Sequence, residues 1–338
     1  MLKKINKDIC YIVAEIGGNF INFNQAKMLI DAAVVCNVNA VKLQTFKAET
    51  HISREAMFDM ENTGTVSQLE LLKYYAIDEG LHKEVVSYAK EKKLEWFSTP
   101  SHESDVELLE RLGVSAYKIG SDDAVNIPFL KFIAKIGKPI ILATGMCTMQ
   151  EVKESVGAIL EEGNHAISIL HAVTSYPTHP EHVNLLAMVS LMNEFPRFDV
   201  GYSDHTIGTT ACICAAAMGA RMVEKHFTYD KKAEGPDHML SADPVEMREI
   251  VDAIREFEIM RGSGIKMPAG CEKKTRINNR KSIVTTRAMK MNEIIKKEDM
   301  AIKRPGYGIQ PKYLEQLVGR KVNRDLNDDE VIFWGDLS

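Results

Sequence analysis

Between Tyr11 and Thr228 the chain holds eight short runs of apolar, β-forming residues, separated by longer stretches whose apolar positions recur every third or fourth residue. The runs are Tyr11–Gly17, Ala40–Phe46, Trp96–Ser101, Ala116–Ser121, Pro139–Gly145, Ala166–Val173, Val200–Thr206 and Met222–Thr228. The intervening stretches, among them Gln25–Cys36, His82–Lys92, Glu103–Leu112, Met149–Glu162 and Ala211–Gly219, each offer one apolar helix face. Strands that are apolar almost throughout are covered on both faces, and the helices between them supply the cover. Eight such units predict an α/β fold, a closed (β/α)8 TIM barrel. An open doubly wound sheet is the alternative, but it asks for G-x-G-x-x-G at the first turn, and Gly17-Gly18-Asn19-Phe20 does not supply it.

The barrel domain is expected to span residues 1–261, with its last helix at Val245–Met260. Residues 47–80 exceed an ordinary loop and include polar text around Asn62-Thr63-Gly64, so this segment is expected to cross the barrel mouth as a lid or substrate loop. Residues 262–281, rich in Gly, Lys, Arg and Asn, read as an extended linker. From 282 to 338 the pattern becomes short strands and turns, at Ser282–Thr286, Ile302–Arg304 and Val331–Trp334. A β-rich unit this small is marginal alone and is expected to dock on its own barrel or on a partner.

Composition narrows the function. A net charge of -5, from 42 basic and 47 acidic residues without long like-charged blocks, gives no electrostatic reason for nucleic-acid or membrane binding. With 45% hydrophobic residues the chain is not a disordered one. Six cysteines are scattered without a disulfide framework, and Cys212-x-Cys214 lacks the second pair of a structural zinc site, which suits reduced thiols in the cytoplasm. After Met1-Leu2-Lys3-Lys4 the apolar stretch Ile9–Ala14 is cut short by Glu15, so no signal peptide is expected, and no apolar run is long enough to span a membrane. The run Asp328-Asp329-Glu330 and the pair Lys231-Lys232 read as solvated surface, and the 17 methionines as core filling.

A barrel of this kind does its chemistry at the carboxyl ends of its strands, and here those ends are polar. They carry Glu15; Lys42 and Gln44; Thr99; Lys118, Ser121, Asp122 and Asp123; Thr144; His171, Thr174 and Tyr176; Ser203, Asp204 and His205; and Glu224, Lys225 and His226. His171 alone reads as a core histidine. His205 and His226 end consecutive strands, so their rings are expected to converge as ligands for manganese, iron or zinc rather than magnesium, which prefers oxygen. Lys42 and Lys118 interrupt apolar strands, where an ammonium must meet an anion. That anion is a protein carboxylate such as Glu15 or Asp123, or a bound phosphate or carboxylate helped by Ser121, Thr144 and Ser203, and both can hold.

Seven segments together resemble the sialic acid synthase family: Ala14-Glu15-Ile16-Gly17-Gly18-Asn19, Val41-Lys42-Leu43-Gln44-Thr45, Phe97-Ser98-Thr99-Pro100, Tyr117-Lys118-Ile119-Gly120-Ser121, Ser175-Tyr176-Pro177, Gly201-Tyr202-Ser203-Asp204-His205-Thr206 and Glu224-Lys225-His226-Phe227-Thr228. Lys303-Arg304-Pro305-Gly306 is similar to the motif of that family's antifreeze-like (SAF) domain. The resemblance implies condensation of phosphoenolpyruvate with an N-acetylated hexosamine to a nine-carbon 3-deoxy-2-keto acid, with C–O cleavage and release of phosphate. It implies a divalent metal, manganese first and magnesium or cobalt otherwise, on His205 and His226. It assigns Lys42, Lys118, Ser121, Thr144, Thr174 and Ser203 to phosphoenolpyruvate, Gln44, Thr99, Tyr176 and Asp237 to the sugar, and Glu15 and Asp123 to catalysis. It also implies a domain-swapped homodimer in which Arg304 reaches the site on the partner's barrel.

Several positions depart from the family pattern. Phe20 follows Asn19 where His is usual, Ala143 stands in place of a common Ser, Asp123 in place of Glu, and Thr174 in place of Asn. The acceptor is accordingly N-acetylmannosamine, a 2,4-diacetamido-trideoxyhexose leading to legionaminic or pseudaminic acid, or a 6-phosphorylated sugar. Two other classes compete. A metal-dependent sugar isomerase or aldolase asks for extra carboxylate ligands at the strand ends, and an ice-binding module asks for a flat Thr-rich face, whereas residues 282–338 are charged.

Overall fold

The computed structural model describes residues 9–60 and 64–338, and the chain divides into two compact units, one ending at Gly262 and one spanning Ser263–Ser338. The strands of the first unit are β1 (Tyr11–Glu15), β2 (Ala40–Thr45), β3 (Met57–Met60), β4 (Gly64–Ser67), β5 (Glu95–Pro100), β6 (Tyr117–Ile119), β7 (Ile140–Ala143), β8 (Ile167–Ala172), β9 (Asp199–Asp204) and β10 (Met222–His226). Eight of them close a parallel barrel in the order β1, β10, β9, β8, β7, β6, β5, β2, and β3 pairs with β4 in a separate antiparallel hairpin. Each of the eight expected strands is therefore formed, within a residue or two of its expected limits.

The barrel strands are buried almost end to end, as sheets covered on both faces must be. The surrounding helices begin where side chains can satisfy their free N–H groups. Thr148 and Glu151 form a capping box ahead of Met149–Glu161, and Asp243 with Glu246 does the same for Pro244–Met260, where Pro244 takes the first turn.

Strand parity sorts the polar residues. On β10, Glu224 and His226 share one face and Lys225 takes the other; on β9, Ser203 is separated in the same way from Asp204. Asp204 and Lys225 point outward, into the layer of helix Thr210–Ala217, where Lys225 Nζ lies 2.7 Å from Asp204 Oδ2 and both side chains are fully buried. Tyr202 Oη (2.8 Å), the Thr206 amide and hydroxyl (3.0 Å each) and Cys212 Sγ (3.4 Å) also donate to this carboxylate. Burial alone would raise the Asp204 carboxyl, but the Lys225 ammonium and these donors hold it below the usual range.

The segment 47–78 carries secondary structure of its own: a short helix at Ala48–His51, the β3–β4 hairpin, and a helix at Gln68–Tyr75 capped by Ser67. Asn62 and Thr63, which drew attention in the sequence, lie outside the described residues.

In the second unit β11 (Ser282–Thr285) pairs antiparallel with β12 (Met300–Lys303). The third strand expected at Val331–Trp334 is reduced to a single bridge, Val284 to Val331, followed by a 3-10 turn at Trp334–Asp336, because the Phe333 N–H turns to the Asp336 carboxylate. Residues 262–281 are exposed, and they are not extended throughout: Lys273–Asn279 forms a short helix after a 3-10 turn, and Glu272 accepts from the Ala269 N–H. The unit also buries a cluster of its own, including Ile283, Met289, Ile295, Leu317, Val322 and Ile332.

One charge motif occurs twice in this unit. Arg287 reaches Glu293 (2.6 Å) and Asp299 (2.7 Å), and Arg324 reaches Glu330 (2.8 Å) and Asp336 (2.7 Å), at identical spacings in the sequence. Met289 and Leu326, two residues after each arginine, bridge the two copies. All six cysteines are free, and among the described residues no helix is long and apolar enough to cross a membrane.

Removing one member of a buried ion pair strands the other in a dry site. Lys225→Met is therefore expected to cost about 3–5 kcal/mol in urea unfolding, and adding Asp204→Asn to return part of that loss. A wild-type midpoint for Lys225→Met would show that the pair contributes nothing.

Candidate active site

Register brings the site together. Pairing of β1 with β2 and β10 sets Glu15 beside Lys42 and His226, pairing of β10 with β9 sets Glu224 beside Ser203, and pairing of β2 with β5 sets Gln44 beside Thr99. The inward side chains open onto a cavity of about 640 Å³, in the range of small-molecule sites. Gly17 lies where β1 passes close to β2, and a Cβ there would come within 2.6 Å of the Gln44 amide nitrogen. At Gly145, whose N–H donates to Ser121 Oγ (3.0 Å), a Cβ would stand 2.7 Å from that same oxygen.

Four charges form the floor. Lys42 pairs directly with Glu15, which also accepts from the Gly17 N–H, and Lys42 Nζ donates to Thr99 Oγ1 (3.0 Å). Glu224 Oε1 lies 3.6 Å from both Lys42 Nζ and Lys118 Nζ and accepts from Ser203 Oγ (3.2 Å). All four side chains are almost wholly buried. Burial pushes the Glu15 carboxyl up, against the pull of Lys42 and with the push of Glu224. For Glu224 burial again acts upward, but Lys118 and Lys42 outweigh it and hold the group below its usual value. Desolvation pulls the Lys118 ammonium down, with Glu224 only partly opposing, whereas Lys42 overcomes the same penalty through Glu15 and Glu224 and is raised.

Beside the floor, His205 and His226 stand with ring centroids 5.4 Å apart, and Tyr176 packs on His205 at 4.3 Å. Burial drives both imidazoles toward the neutral form, His205 to about 4 and His226 well below its usual value. His205 Nδ1 donates to the Val173 carbonyl (2.7 Å), which leaves the Nε2 lone pair free. His226 Nδ1 is buried without a hydrogen bond, 3.4 Å from Asp237 Oδ2, and burial pushes the Asp237 carboxyl up to about 7. Two neutral imidazoles, one with a free lone pair and one with an unpartnered nitrogen, suit a borderline divalent cation whose other positions are left to oxygen ligands. Among the described residues no set of three or more His, Cys, Asp or Glu side chains is arranged to hold a metal.

Of the residues singled out in the sequence, Lys42, Gln44, Thr99, Lys118, Ser121, Asp123, Thr174, Tyr176, Ser203, His205, His226 and Asp237 line the cavity. Glu15 does not; it sits behind Lys42 with both carboxylate oxygens engaged. Thr144 does not either, because its hydroxyl (2.9 Å) and its amide (3.0 Å) both donate to the Leu170 carbonyl in the barrel wall. Arg304 is exposed on the second unit. His171 is buried, with Nε2 2.8 Å from the Val183 carbonyl. The sequence reading placed Glu224 among the polar strand ends but gave it no role, and the signal for one was parity: it lies two positions before His226 on an apolar strand.

The chain matches the NeuB family over residues 29–266 and the SAF domain over residues 280–338. This chain belongs to the NeuB family. It is 38% identical to the N,N'-diacetyllegionaminic acid synthase of Campylobacter jejuni, over 95% of this chain and 98% of that protein. To the enzyme of the same name from Legionella pneumophila it is 37% identical, over 96% of this chain and 94% of that protein. The crystal structure of N-acetylneuraminic acid (sialic acid) synthetase from Leptospira borgpetersenii superposes with a TM-score of 0.71 at 27% identity, covering 80% of this NeuB-family chain and 91% of that one.

Glu224 is the largest influence keeping Lys118 charged. Glu224→Gln is expected to lower the Lys118 pKa further, read as an earlier titration of its ε-carbon resonance by NMR. An unshifted titration would mean that the carboxylate does not support the ammonium.

Proposed function

We infer that this NeuB-family chain is a nonulosonic (sialic) acid synthase, joining phosphoenolpyruvate to an N-acetylated hexosamine to give a nine-carbon 3-deoxy-2-keto acid and phosphate. The observation that carries the reading is the meeting, in one cavity, of two buried ammonium groups and a pair of neutral imidazoles. The relatives named above add support. Phosphoenolpyruvate carries up to three negative charges, and the Lys42 and Lys118 side chains supply local countercharge in a protein of net charge -5. Ser121, Thr174 and Ser203 add hydroxyl groups to the lining of the same cavity.

His205 and His226 would hold a divalent metal, manganese by preference with magnesium or cobalt as substitutes. When bound it supplies Lewis-acid polarisation of the sugar's open-chain aldehyde. The floor aligns the enol so that C3 bonds to the aldehyde carbon, while Gln44, Thr99, Tyr176 and Asp237 orient the sugar. Water adds at C2, and the tetrahedral product loses phosphate by breaking the C2–O bond. Asp123 is the carboxylate assigned to position that water. It faces the cavity, and burial, opposed by Asn126 and helped by Asp122, raises its pKa toward the range useful to a base. Glu15, engaged on both oxygens, is assigned to holding Lys42 in place.

The isomerase or aldolase alternative needs several carboxylates on the metal; Glu15 and Glu224 are tied to the lysines, Asp237 is the carboxylate beside His226, at 3.4 Å, and among the described residues no set of three or more His, Cys, Asp or Glu side chains is arranged to hold a metal. The reading also places the chain as a domain-swapped homodimer of the cytoplasm, with Arg304 of one protomer over its partner's cavity. Exposed aromatic residues on the same unit, Tyr307 stacked on Phe333 at 5.9 Å and the neighbouring Trp334, support a docking role.

The test is to supply manganese, phosphoenolpyruvate and N-acetylated hexosamines and to follow phosphate release together with loss of the enol. His205→Ala or His226→Ala is expected to lower turnover at least 100-fold and to abolish manganese binding in calorimetry; wild-type turnover in either would remove the metal assignment. Mixing Arg304→Ala with His205→Ala and exchanging subunits is expected to recover activity that neither variant has alone. No recovery would mean that each chain completes its own site.

A further inference from the structure

Asp237 reaches the cavity from the loop that leaves the barrel after β10 and returns beside it, where Phe227 and Ala242 form a parallel bridge. Its near polar neighbour is His226 Nδ1, 3.4 Å from Oδ2. A carboxylate with so distant a partner is aimed by its backbone, and that backbone is held from two sides. The side chains that hold it, Asn19, Thr228, His238 and Ser241, are almost wholly buried and do not line the cavity.

From one side, the Asn19 amide ties the end of β1 to the loop. Its Nδ2 donates to the Phe227 carbonyl and to Ser241 Oγ, at 2.9 Å each, across 208 and 222 residues of sequence. Ser241 passes the link on, because its hydroxyl (2.6 Å) and its amide (3.1 Å) both donate to the Asp237 carbonyl. From the other side, His238 Nδ1 lies 2.6 Å from Thr228 Oγ1. The Thr228 hydroxyl donates its one proton to the Asp230 carbonyl (2.9 Å), so toward His238 it can only accept, and Nδ1 carries the hydrogen. Burial keeps this ring neutral, which makes Nε2 the bare nitrogen. Two glycines make room for the arrangement. At Gly18 (φ +78°) a Cβ would stand 3.2 Å from Asp237 Oδ2, and at Gly235 (φ +155°) it would stand 2.6 Å from His238 Cδ2.

We propose that Asn19 and His238 are positioning residues of the reaction, which act by holding Asp237 at the cavity beside His226. This rests on the synthase reading above, in which Asp237 faces the acceptor sugar. Asn19 fixes the backbone of Asp237 through Ser241, and His238 fixes it from the next residue through Thr228. A misplacement of about 1 Å costs up to about 100-fold in an aligned reaction, and here it would fall on the sugar, since Lys42 and Lys118 keep their own partners.

The experiment follows phosphate release by the full-length protein with manganese, phosphoenolpyruvate and either N-acetylmannosamine or 2,4-diacetamido-2,4,6-trideoxymannose, using whichever sugar reacts faster. His238→Phe keeps a ring and loses the donor, and Ser241→Ala cuts the Asn19 link. Each is expected to raise KM for the sugar about tenfold and to leave KM for phosphoenolpyruvate within about twofold of wild type. In an Asp237→Ala background neither is expected to lower kcat/KM further, because the group that they position is gone. His238→Asn, whose side-chain N–H stands near the place of Nδ1, is expected to recover most of the sugar KM. A wild-type sugar KM in both variants, losses of equal size with and without Asp237, or no recovery by His238→Asn overturns the proposal and leaves the synthase reading standing. Phosphate release with neither sugar overturns both. Folding of each variant is checked by thermal melting, and if His238→Phe melts early, Ser241→Ala with and without Asp237 decides the point.

Discussion

Four charges inside the barrel, Lys42, Glu15, Glu224 and Lys118, are the constraint to which the rest of the site answers. An ammonium in an apolar barrel is untenable alone, and a carboxylate no less so. Alternating along the floor, they compensate one another and bind β1, β2, β6 and β10 into one polar layer. Because Glu224 is shared between two lysines, neither ammonium is fully neutralised by it, and Lys118 in particular has one ion pair among the described residues, at 3.6 Å. A site of this kind keeps positive potential in reserve for an anion while remaining stable without one.

The imidazoles complete the logic in the opposite sense. Burial keeps His205 and His226 neutral, so they offer lone pairs rather than charge, and the carbonyl of Val173 fixes which nitrogen of His205 is free. Side chains that carry charge and side chains that offer lone pairs thus line one cavity. On the outer face of the barrel strands, Asp204 and Lys225 lock β9 to β10 and so hold the two histidines in register without touching the cavity.

Much of this was legible in the residues. The eight apolar runs imply the barrel, and polar residues at the ends of such runs mark the mouth, although Lys225, paired with Asp204 on the outer face, and His171, bonded to the Val183 carbonyl, lie away from the cavity. Two misplacements have a common cause. Thr144 has the right type and position for an anion site, and Glu15 for a base at the cavity surface, but a side chain's partner depends on neighbours that are distant in sequence: the Leu170 carbonyl for one, Lys42 for the other. The sequence reading passed over the paired Arg–Glu–Asp motif of the second unit, because only the ion pairs show that its spacing repeats a structure.

The sequence by itself determined the architecture and the kinds of group available at the barrel mouth, because hydrophobic periodicity and strand parity are local properties that a reader can count. Only the tertiary structure decided which groups face one another. Glu224 between two lysines, His226 beside Asp237 and the helix Gln68–Tyr75 laid along the cavity all depend on strand register and on where a long insertion folds back. Those are set by packing the whole chain, and no spacing along it specifies them.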